Sequence, residues 1–259
     1  MMKRRDNPIR VCIVGGLGRM GKLVIDAVNA NREMTVHSVL SDQVGMPIND
    51  FIVTEDPHKA LHNVEVVIDF SAPSGCASTL PICVEKRIPY LLASTGLSAA
   101  EQGIVDSASA SVAMIQTSNC SLGVTVLMEL VELASKRLAD FDAEIFEIHH
   151  KHKRDAPSGT ARSLGEAVAA GRGELQEVVG RSGMSEPRAK DELGYAAMRG
   201  GDVSGDHTVF FFGDNERIEL THRSTSATIF SAGAVRAAHW LVGKAPGKYG
   251  MRDVLMGDV

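Results

Sequence analysis

The run Arg10-Val11-Cys12-Ile13-Val14-Gly15-Gly16-Leu17-Gly18-Arg19-Met20-Gly21 carries a short apolar segment straight into a glycine-rich turn. Val11 to Val14 have the length and β-branched content of a strand buried on both faces. Met20, Leu23, Val24, Ala27 and Val28 then recur at helical spacing, so a helix begins near Gly18 and turns that face to a sheet. Gly16, Gly18 and Gly21 form a G-x-G-x-x-G between the two elements. Glycine there permits a tight turn and a close approach of backbone to a pyrophosphate. The helix N-terminus adds unpaired N–H groups and a partial positive charge. The motif alone is weak, and a strand before it with a helix after it is the context that gives it meaning. Gly15, Gly16, Leu17, Gly18, Arg19 and Met20 are therefore expected to line a dinucleotide. The competing reading is a glycine-rich turn without a ligand.

Further apolar runs at Thr35–Leu40, Glu65–Phe70, Ile88–Ala93 and Val112–Gln116 alternate with helix-like segments. That alternation predicts an α/β domain with a Rossmann-like, doubly wound parallel sheet. An acidic residue some way beyond the glycines holds the adenosine ribose in such domains. Asp42 is the candidate, with Ser41 competing for the place and loop capping as the alternative role for Asp42. Arg19 facing a 2′-phosphate is a further alternative, so NADH and NADPH both stay open. Ligands of such sheets lie beyond the carboxyl ends of the strands. Phe70-Ser71-Ala72-Pro73, Ala93-Ser94-Thr95-Gly96 and Thr117-Ser118-Asn119-Cys120 are such ends. Their small and hydroxyl side chains suit a nicotinamide ribose and amide, or simply cap the following helix.

The pattern changes after Ser121. A helix is expected from about Leu122 to Leu138, a strand at Phe141–Ile148 and a helix from Ser158 to about Gly171. Gly180 to Gly205 is polar and glycine-rich with little periodicity, and reads as a long loop or extended connection. Thr208–Phe212 and Arg217–His222 read as antiparallel strands joined through Gly213-Asp214-Asn215, and Phe230–Val242 as an amphipathic helix. The second region is thus mixed α+β.

The bulk numbers narrow the class. At 259 residues, 44% hydrophobic and 23% charged, the chain is long enough for two domains. A net charge of −5 gives no basic footprint for nucleic acid. Lys3, Arg4 and Arg5 precede an apolar stretch that Gly15 cuts too short for a signal peptide. No apolar run approaches the ~20 residues of a membrane span. Cys12, Cys76, Cys83 and Cys120 have no CxxC spacing and sit among apolar residues, as reduced thiols of a cytoplasmic protein do.

Glu147-Ile148-His149-His150-Lys151-His152-Lys153-Arg154-Asp155-Ala156-Pro157-Ser158-Gly159-Thr160-Ala161 concentrates proton carriers and anion binders in an acidic chain. If the strand continues, His149, Lys151 and Lys153 share one face and His150 and His152 the other. Histidine titrates closest to neutrality and suits acid/base work, and lysine donates a proton or holds an anion. Asp155 to Thr160 reads as a helix start whose N–H groups at Gly159 and Thr160 would hold a carboxylate. A metal at His150 and His152 lacks further ligands at suitable spacing, so no metal is expected. A solvated basic turn is the bland alternative.

These stretches resemble the 4-hydroxy-tetrahydrodipicolinate reductase (dihydrodipicolinate reductase) family. The family carries G-x-x-G-R-M-G, here Gly15 to Gly21, and E-x-H-H-x-x-K-x-D-A-P-S-G-T-A, here Glu147 to Ala161 without a break. Gly201 to Thr208, Glu219 to His222, Gly233 to Val235 and Met251 to Leu255 also resemble it, so the likeness runs nearly the whole chain. The resemblance implies NAD(P)H-dependent reduction of a small dicarboxylate on the diaminopimelate route to lysine. It implies His149 as the acid/base residue and Lys153 as proton donor. His150, Gly159 and Thr160 would bind substrate carboxylates. Gly15 to Met20, Ala93, Ser94, Thr95, Thr117, Ser118, Asn119 and Cys120 would line the cofactor. It implies residues 1–120 with 229–259 as the dinucleotide domain and 121–228 as a substrate-binding domain that builds a homotetramer, with a hinge that closes to exclude water. The chain departs from the family at Ser41 and Asp42, where an acidic then a basic residue is frequent, at the short loop after Asp42, and at Ala227, where some members carry arginine.

Two rivals predict different chemistry. Ser118-Asn119-Cys120-Ser121 resembles the Asn-Cys nucleophile of aspartate-semialdehyde-type dehydrogenases, in which Cys120 would form a thioester. A non-enzymatic NAD(P)H sensor would bind cofactor without turnover.

Overall fold

The computed structural model describes residues 7–43 and 51–257. Lys3 to Arg5 and most of the loop after Asp42 lie outside the described residues. The elements in chain order are β1 (Ile9–Val14), α1 (Arg19–Asn29), β2 (Met34–Leu40), β3 (Ile52–Thr54), α2 (Pro57–Ala60), β4 (Val66–Asp69), α3 (Pro73–Lys86), β5 (Tyr90–Leu92), α4 (Ala99–Ser109) and β6 (Ala113–Gln116). There follow α5 (Leu122–Arg137), β7 (Asp142–His149), α6 (Gly159–Arg172), β8 (Gln176–Val179), β9 (Glu192–Arg199), β10 (Gly205–Phe212), β11 (Arg217–Ser224), α7 (Thr228–Leu241), β12 (Gly247–Tyr249) and α8 (Met251–Met256). Met1–Leu122 with Thr228–Val259 forms one compact unit and Gly123–Ala227 a second.

The first unit is the doubly wound parallel sheet the sequence predicts, in the order β12-β6-β5-β4-β1-β2-β3. Its strands are apolar on both faces because both are covered. Val11, Ile13, Val66 and Ile68 enter one core with α1 and α7, and Cys12, Val14, Val67 and Leu92 enter the other with α3 and α4. The helix face expected from Met20, Leu23, Val24, Ala27 and Val28 is rotated slightly. Gly21, Val24, Ile25 and Val28 are buried, while Met20, Leu23 and Ala27 are half-buried. Gly21 lies hard against the turn and sets that rotation. The chain runs outward from β1 to β3, then crosses to β4 on the other side of β1. Ligand crevices form at such a reversal. Val14, Asp69, Leu92 and Gln116 lie in register across β1, β4, β5 and β6, so the loops after all four open on one edge.

The second unit is a five-stranded mixed sheet, β11-β10-β7-β9-β8. Strict alternation along β7 buries Ala143, Ile145, Glu147 and His149 on one face. α5 and α6 cover that face through Leu127, Val131, Ala161, Leu164 and Val168. Of the loop or extended connection expected over Gly180–Gly205, the loop is corrected over part of its length, because β9 lies inside it and pairs in parallel with β7 over Leu193 to Arg199. Leu193, Gly194 and Tyr195 are all buried and Ala196, Ala197 and Met198 all exposed, so the strand has no alternation to betray it. β8, β12 and α8, at four, three and six residues, also carry too few residues for a periodic signal.

Candidate active site

Each sequence candidate in the first unit falls on the edge where the strands end. Gly15 takes φ +75°, and a Cβ there would stand 2.9 Å from Ser71 Cα in the loop after β4. A Cβ on Gly16 would meet Val39 at 2.6 Å, and one on Gly21 would meet the Gly15 carbonyl oxygen at 2.3 Å. Glycine is required at these points by packing of strand, turn and helix. Gly18 caps α1 with no side-chain hydrogen bond. The first turn of the helix therefore faces the edge with no side chain serving it, a cradle that fits a pyrophosphate. Arg19 is exposed at the helix start, and Ser41 and the exposed Asp42 directly follow β2.

Beneath the loops lies a carboxylate that sequence reasoning missed. Asp69, fully buried at the end of β4, accepts from Ser71 N at 2.7 Å, Ser71 Oγ at 2.6 Å, Tyr90 Oη at 2.6 Å and Ser94 Oγ at 3.2 Å. Burial pushes its pKa up, against the pull of these donors. Ser94 Oγ also donates to the Ser71 carbonyl at 2.7 Å, tying the loops after β4 and β5 together. Ala93 and Thr95 flank that tie, Thr95 exposed. Thr117 Oγ1 donates to the Asn119 carbonyl at 2.8 Å and shapes the loop after β6, with Ser118 exposed at its tip. Cys120 is buried, and burial alone pushes its thiol up to about 12. A thiol in that state supplies no thiolate near neutrality, which removes the nucleophile of the dehydrogenase rival.

The second unit gathers the Glu147–Ala161 motif at one end of its sheet. Alternation does not continue past the strand as expected. β7 ends at His149, residues 151–152 form a turn, and Lys153 N donates to the His150 carbonyl at 3.1 Å. The shared face of His149, Lys151 and Lys153 is therefore corrected. Lys151 is exposed, while Lys153 folds back, half-buried, and pairs with Asp155 at 2.9 Å. His150 N and Lys151 N donate to the carbonyls of Val203 and Gly201 at 2.8 and 3.2 Å, which strap the turn to the strand entering β10. Ser158 caps α6 by accepting from Ala161 N at 3.1 Å. Gly159 is exposed at the mouth of that helix, with open space where a Cβ would stand.

Glu147, His149, Arg199, Ser158 and His207 interlock. His149 Nδ1 lies 2.5 Å from Glu147 Oε2, and Arg199 grips both carboxylate oxygens at 2.8 and 2.7 Å. Burial pushes the Glu147 carboxyl up, but hydrogen bonds from His149 and Arg199 outweigh it and hold the group at about 2. The His207 ring stands edge-on to His149 at 5.0 Å and meets Ser158 Oγ through Nε2 at 3.0 Å. Burial, then the proximity of His149, pushes His207 down to about 3, so it is neutral. The charge of Lys153 pushes His207 in the same direction, more weakly. A Cβ on Gly205 would stand 3.0 Å from His149 Nε2, so glycine there leaves that nitrogen room. Arg199 and His207 were not singled out from sequence. One lies in the stretch read as loop, and the other acts only through contacts remote in sequence. Among the described residues no three His, Cys, Asp or Glu side chains are gathered to hold a metal, and no helix is long and apolar enough to cross a membrane.

Comparison with known proteins gives concordant results. A family model described as dihydrodipicolinate reductase, N-terminus, matches residues 9–120, and one described as dihydrodipicolinate reductase, C-terminus, matches residues 123–255. The chain is 40% identical over 262 residues to a 4-hydroxy-tetrahydrodipicolinate reductase of Thiobacillus denitrificans, covering 95% of this chain and 98% of the relative. It is 41% identical over 252 residues to one of Sulfurimonas denitrificans, covering 95% and 99%. A dipicolinate-bound dihydrodipicolinate reductase from Paenisporosarcina sp. TG-14 shares the fold, with a TM-score of 0.79 at 21% identity over 94% of this chain and 97% of that one.

Proposed function

The chain belongs to the dihydrodipicolinate reductase family, and we propose that it reduces 4-hydroxy-tetrahydrodipicolinate to tetrahydrodipicolinate with NADH or NADPH, using His149 and Lys153 to supply the proton. The observation that supports the residue roles is that His149 ends β7 and Lys153 lies in the short turn that runs from it to the first residues of α6.

The first unit is the dinucleotide domain in this reading. Gly15 to Met20 cradle the pyrophosphate, Asp42 meets the adenosine ribose, and Ala93 to Thr95 with Thr117 to Cys120 line the nicotinamide end. Bound NADH or NADPH supplies the hydride that reduces the ring once water has left the substrate. The second unit binds the dicarboxylate. The N–H groups of α6 at Gly159 and Thr160, with His150, hold a carboxylate against the positive end of the helix. Charge that moves along the conjugated ring after hydride arrival is met by a proton from Lys153 and His149. Two substrate carboxylates account for a dense basic turn in a chain whose net charge is −5. We further propose a cytoplasmic homotetramer, on four buried free cysteines and on the open apolar sheet face of the second unit.

The test follows NADH and NADPH oxidation with substrate formed in the assay from pyruvate and aspartate semialdehyde. His149→Ala and Lys153→Ala are each expected to lower kcat by about 10²–10⁴-fold while dinucleotide still binds. The ratio of the two cofactors reads the preference that Ser41 and Asp42 confer. Folded wild-type protein that binds dinucleotide but turns over with neither would overturn the assignment in favour of a sensor.

A further inference from the structure

We propose that Glu147 and Arg199 are positioning residues that act as a pair, fixing His149 as its Nδ1–H tautomer while Arg199 cancels the carboxylate charge so that the imidazole gives up its proton readily. The proposal rests on the reading of His149 as the acid/base residue.

The period of two along β7 puts Glu147 and His149 on one face, and the parallel register sets Arg199 of β9 opposite His149. Glu147 is 1% exposed, so its hydrogen bonds must come from protein. Oε2 receives His149 Nδ1 and Arg199 Nη1, and Oε1 receives Arg199 Nη2 and Ser158 N, the last at 3.1 Å. Four donors fill the acceptor capacity of a carboxylate. An ionised carboxylate only accepts, so Nδ1 carries the hydrogen and Nε2 is left to exchange protons. Arg199 is itself held in place, donating to the carbonyls of Met198 at 2.6 Å and Asp155 at 2.7 Å. A carboxylate alone beside the ring would stabilise imidazolium and hold its proton. The guanidinium gripping the same carboxylate keeps the orientation and sets an opposite charge against the carboxylate's own.

The titratable group that faces His149 directly is His207 from β10; Lys153, paired with Asp155 in the turn before α6, and His222 of β11 act on His207, and Asp206 acts on His222. His207 feels Glu147 and Asp155 feels Arg199, but near neutrality His207 stays neutral and Asp155 ionised in either variant, so the sign of each effect belongs to the pair.

The experiment is the pH titration of the His149 ring by NMR in the full-length protein, alongside the pH profile of kcat/KM. Glu147→Gln leaves the guanidinium unopposed and is expected to lower the His149 titration by about one pH unit or more. Arg199→Met leaves the carboxylate unopposed and raises it by a similar amount, and the double variant returns close to wild type. Arg199→Lys keeps the charge and gives up the two-pronged grip. It holds the titration near wild type with a lower kcat, and the cofactor KM is unchanged throughout. Single variants that shift the titration in the same direction, or folded ones that shift it not at all, would overturn the proposal. A shift in Arg199→Lys as large as in Arg199→Met would do the same, and that variant decides the matter if Arg199→Met does not fold. Normal turnover in His149→Ala, with the opposite shifts intact, would instead overturn the acid/base reading of His149 and leave the pair's electrostatics standing.

Discussion

At the scale of single residues, the second unit stakes part of its stability on two groups that acid disturbs. Glu147 is held at about 2, below its ordinary 4.5. A carboxyl whose folded-state pKa is depressed contributes stability above its unfolded value and loses it as pH falls through the folded one. The window for Glu147 is therefore pH 4.5 down to about 2, and the amount is on the order of 3 kcal/mol. His207 is held at about 3 against an ordinary 6.5, and an imidazole kept neutral by burial also favours unfolding as protons are added. Its window opens earlier, from pH 6.5 down to about 3. Denaturant melts at successive pH values are expected to show stability declining from pH 6.5 and more steeply below 4.5. In Glu147→Gln the upper decline should persist and the lower steepening should lessen, with the remainder due to other carboxyls held low, such as Asp155 and Glu192. A wild-type slope below pH 4.5 in that variant would mean the carboxylate is not the ionised centre of the cluster.

At the scale of elements, the turn from β1 to α1 shows how far local chemistry reaches. Glycine was expected there for a ligand, yet at Gly21 the reason lies inside the protein. A Cβ would stand 2.3 Å from the Gly15 carbonyl oxygen and 2.4 Å from Gly16 Cα, both backbone atoms that move only if the turn does. At Gly18 the nearest atom is 3.2 Å away. Gly21→Ala is therefore expected to weaken dinucleotide binding at least about tenfold, or about 1.4 kcal/mol, with Gly18→Ala milder, read by fluorescence titration. Equal affinities in the two variants would sink the argument. The same locality explains what the sequence made legible. β1, β2, β4, β5 and β6 announce themselves because both of their faces are largely buried, so most of their positions are apolar. α6 announces itself because its cap is a local matter of Ser158 and the next three residues. β9 does not, since its partner β7 lies far back in the chain and its burial switches midway from Tyr195 to Ala196. Arg199 was lost with it. The candidate histidines and lysines could be read from composition and spacing, but the groups packed around His149 meet it only through the register of β7 with β9 and β10 in one sheet.

At the scale of the whole molecule, the two sheets differ in a way that bears on assembly. The first is covered on both faces by its own helices. The second has α5 and α6 on one face only. Its other face, by the register of β7, β9 and β10, carries Phe146, Ile148, Ala196, Met198, Phe210 and Phe212 among Asp142, Glu144, Asp206 and Thr208, with the rings of Phe210 and Phe212 stacked at 5.5 Å. Met198 is 54% exposed and Phe212 38%. Arg181 and Arg188 pair with Glu144 and Asp142 of this face at 2.8 and 2.7 Å, so an apolar cluster lies beside charges that are already paired. That is the arrangement of an interface core and its edge. A second copy of the same sheet is a fitting occupant, since its own apolar face needs the same cover. Sedimentation is expected to give a species of four 27.7 kDa chains for the wild type. Met198→Glu with Phe212→Glu places charge where a partner sheet must desolvate it, and should yield smaller species that keep the thermal stability of the first unit. A wild-type protein that sediments as a single chain would refute the tetramer. A double variant that stays tetrameric would move the interface to another surface, of which the exposed stripe Val126, Leu130 and Leu133 on α5 is the next apolar face.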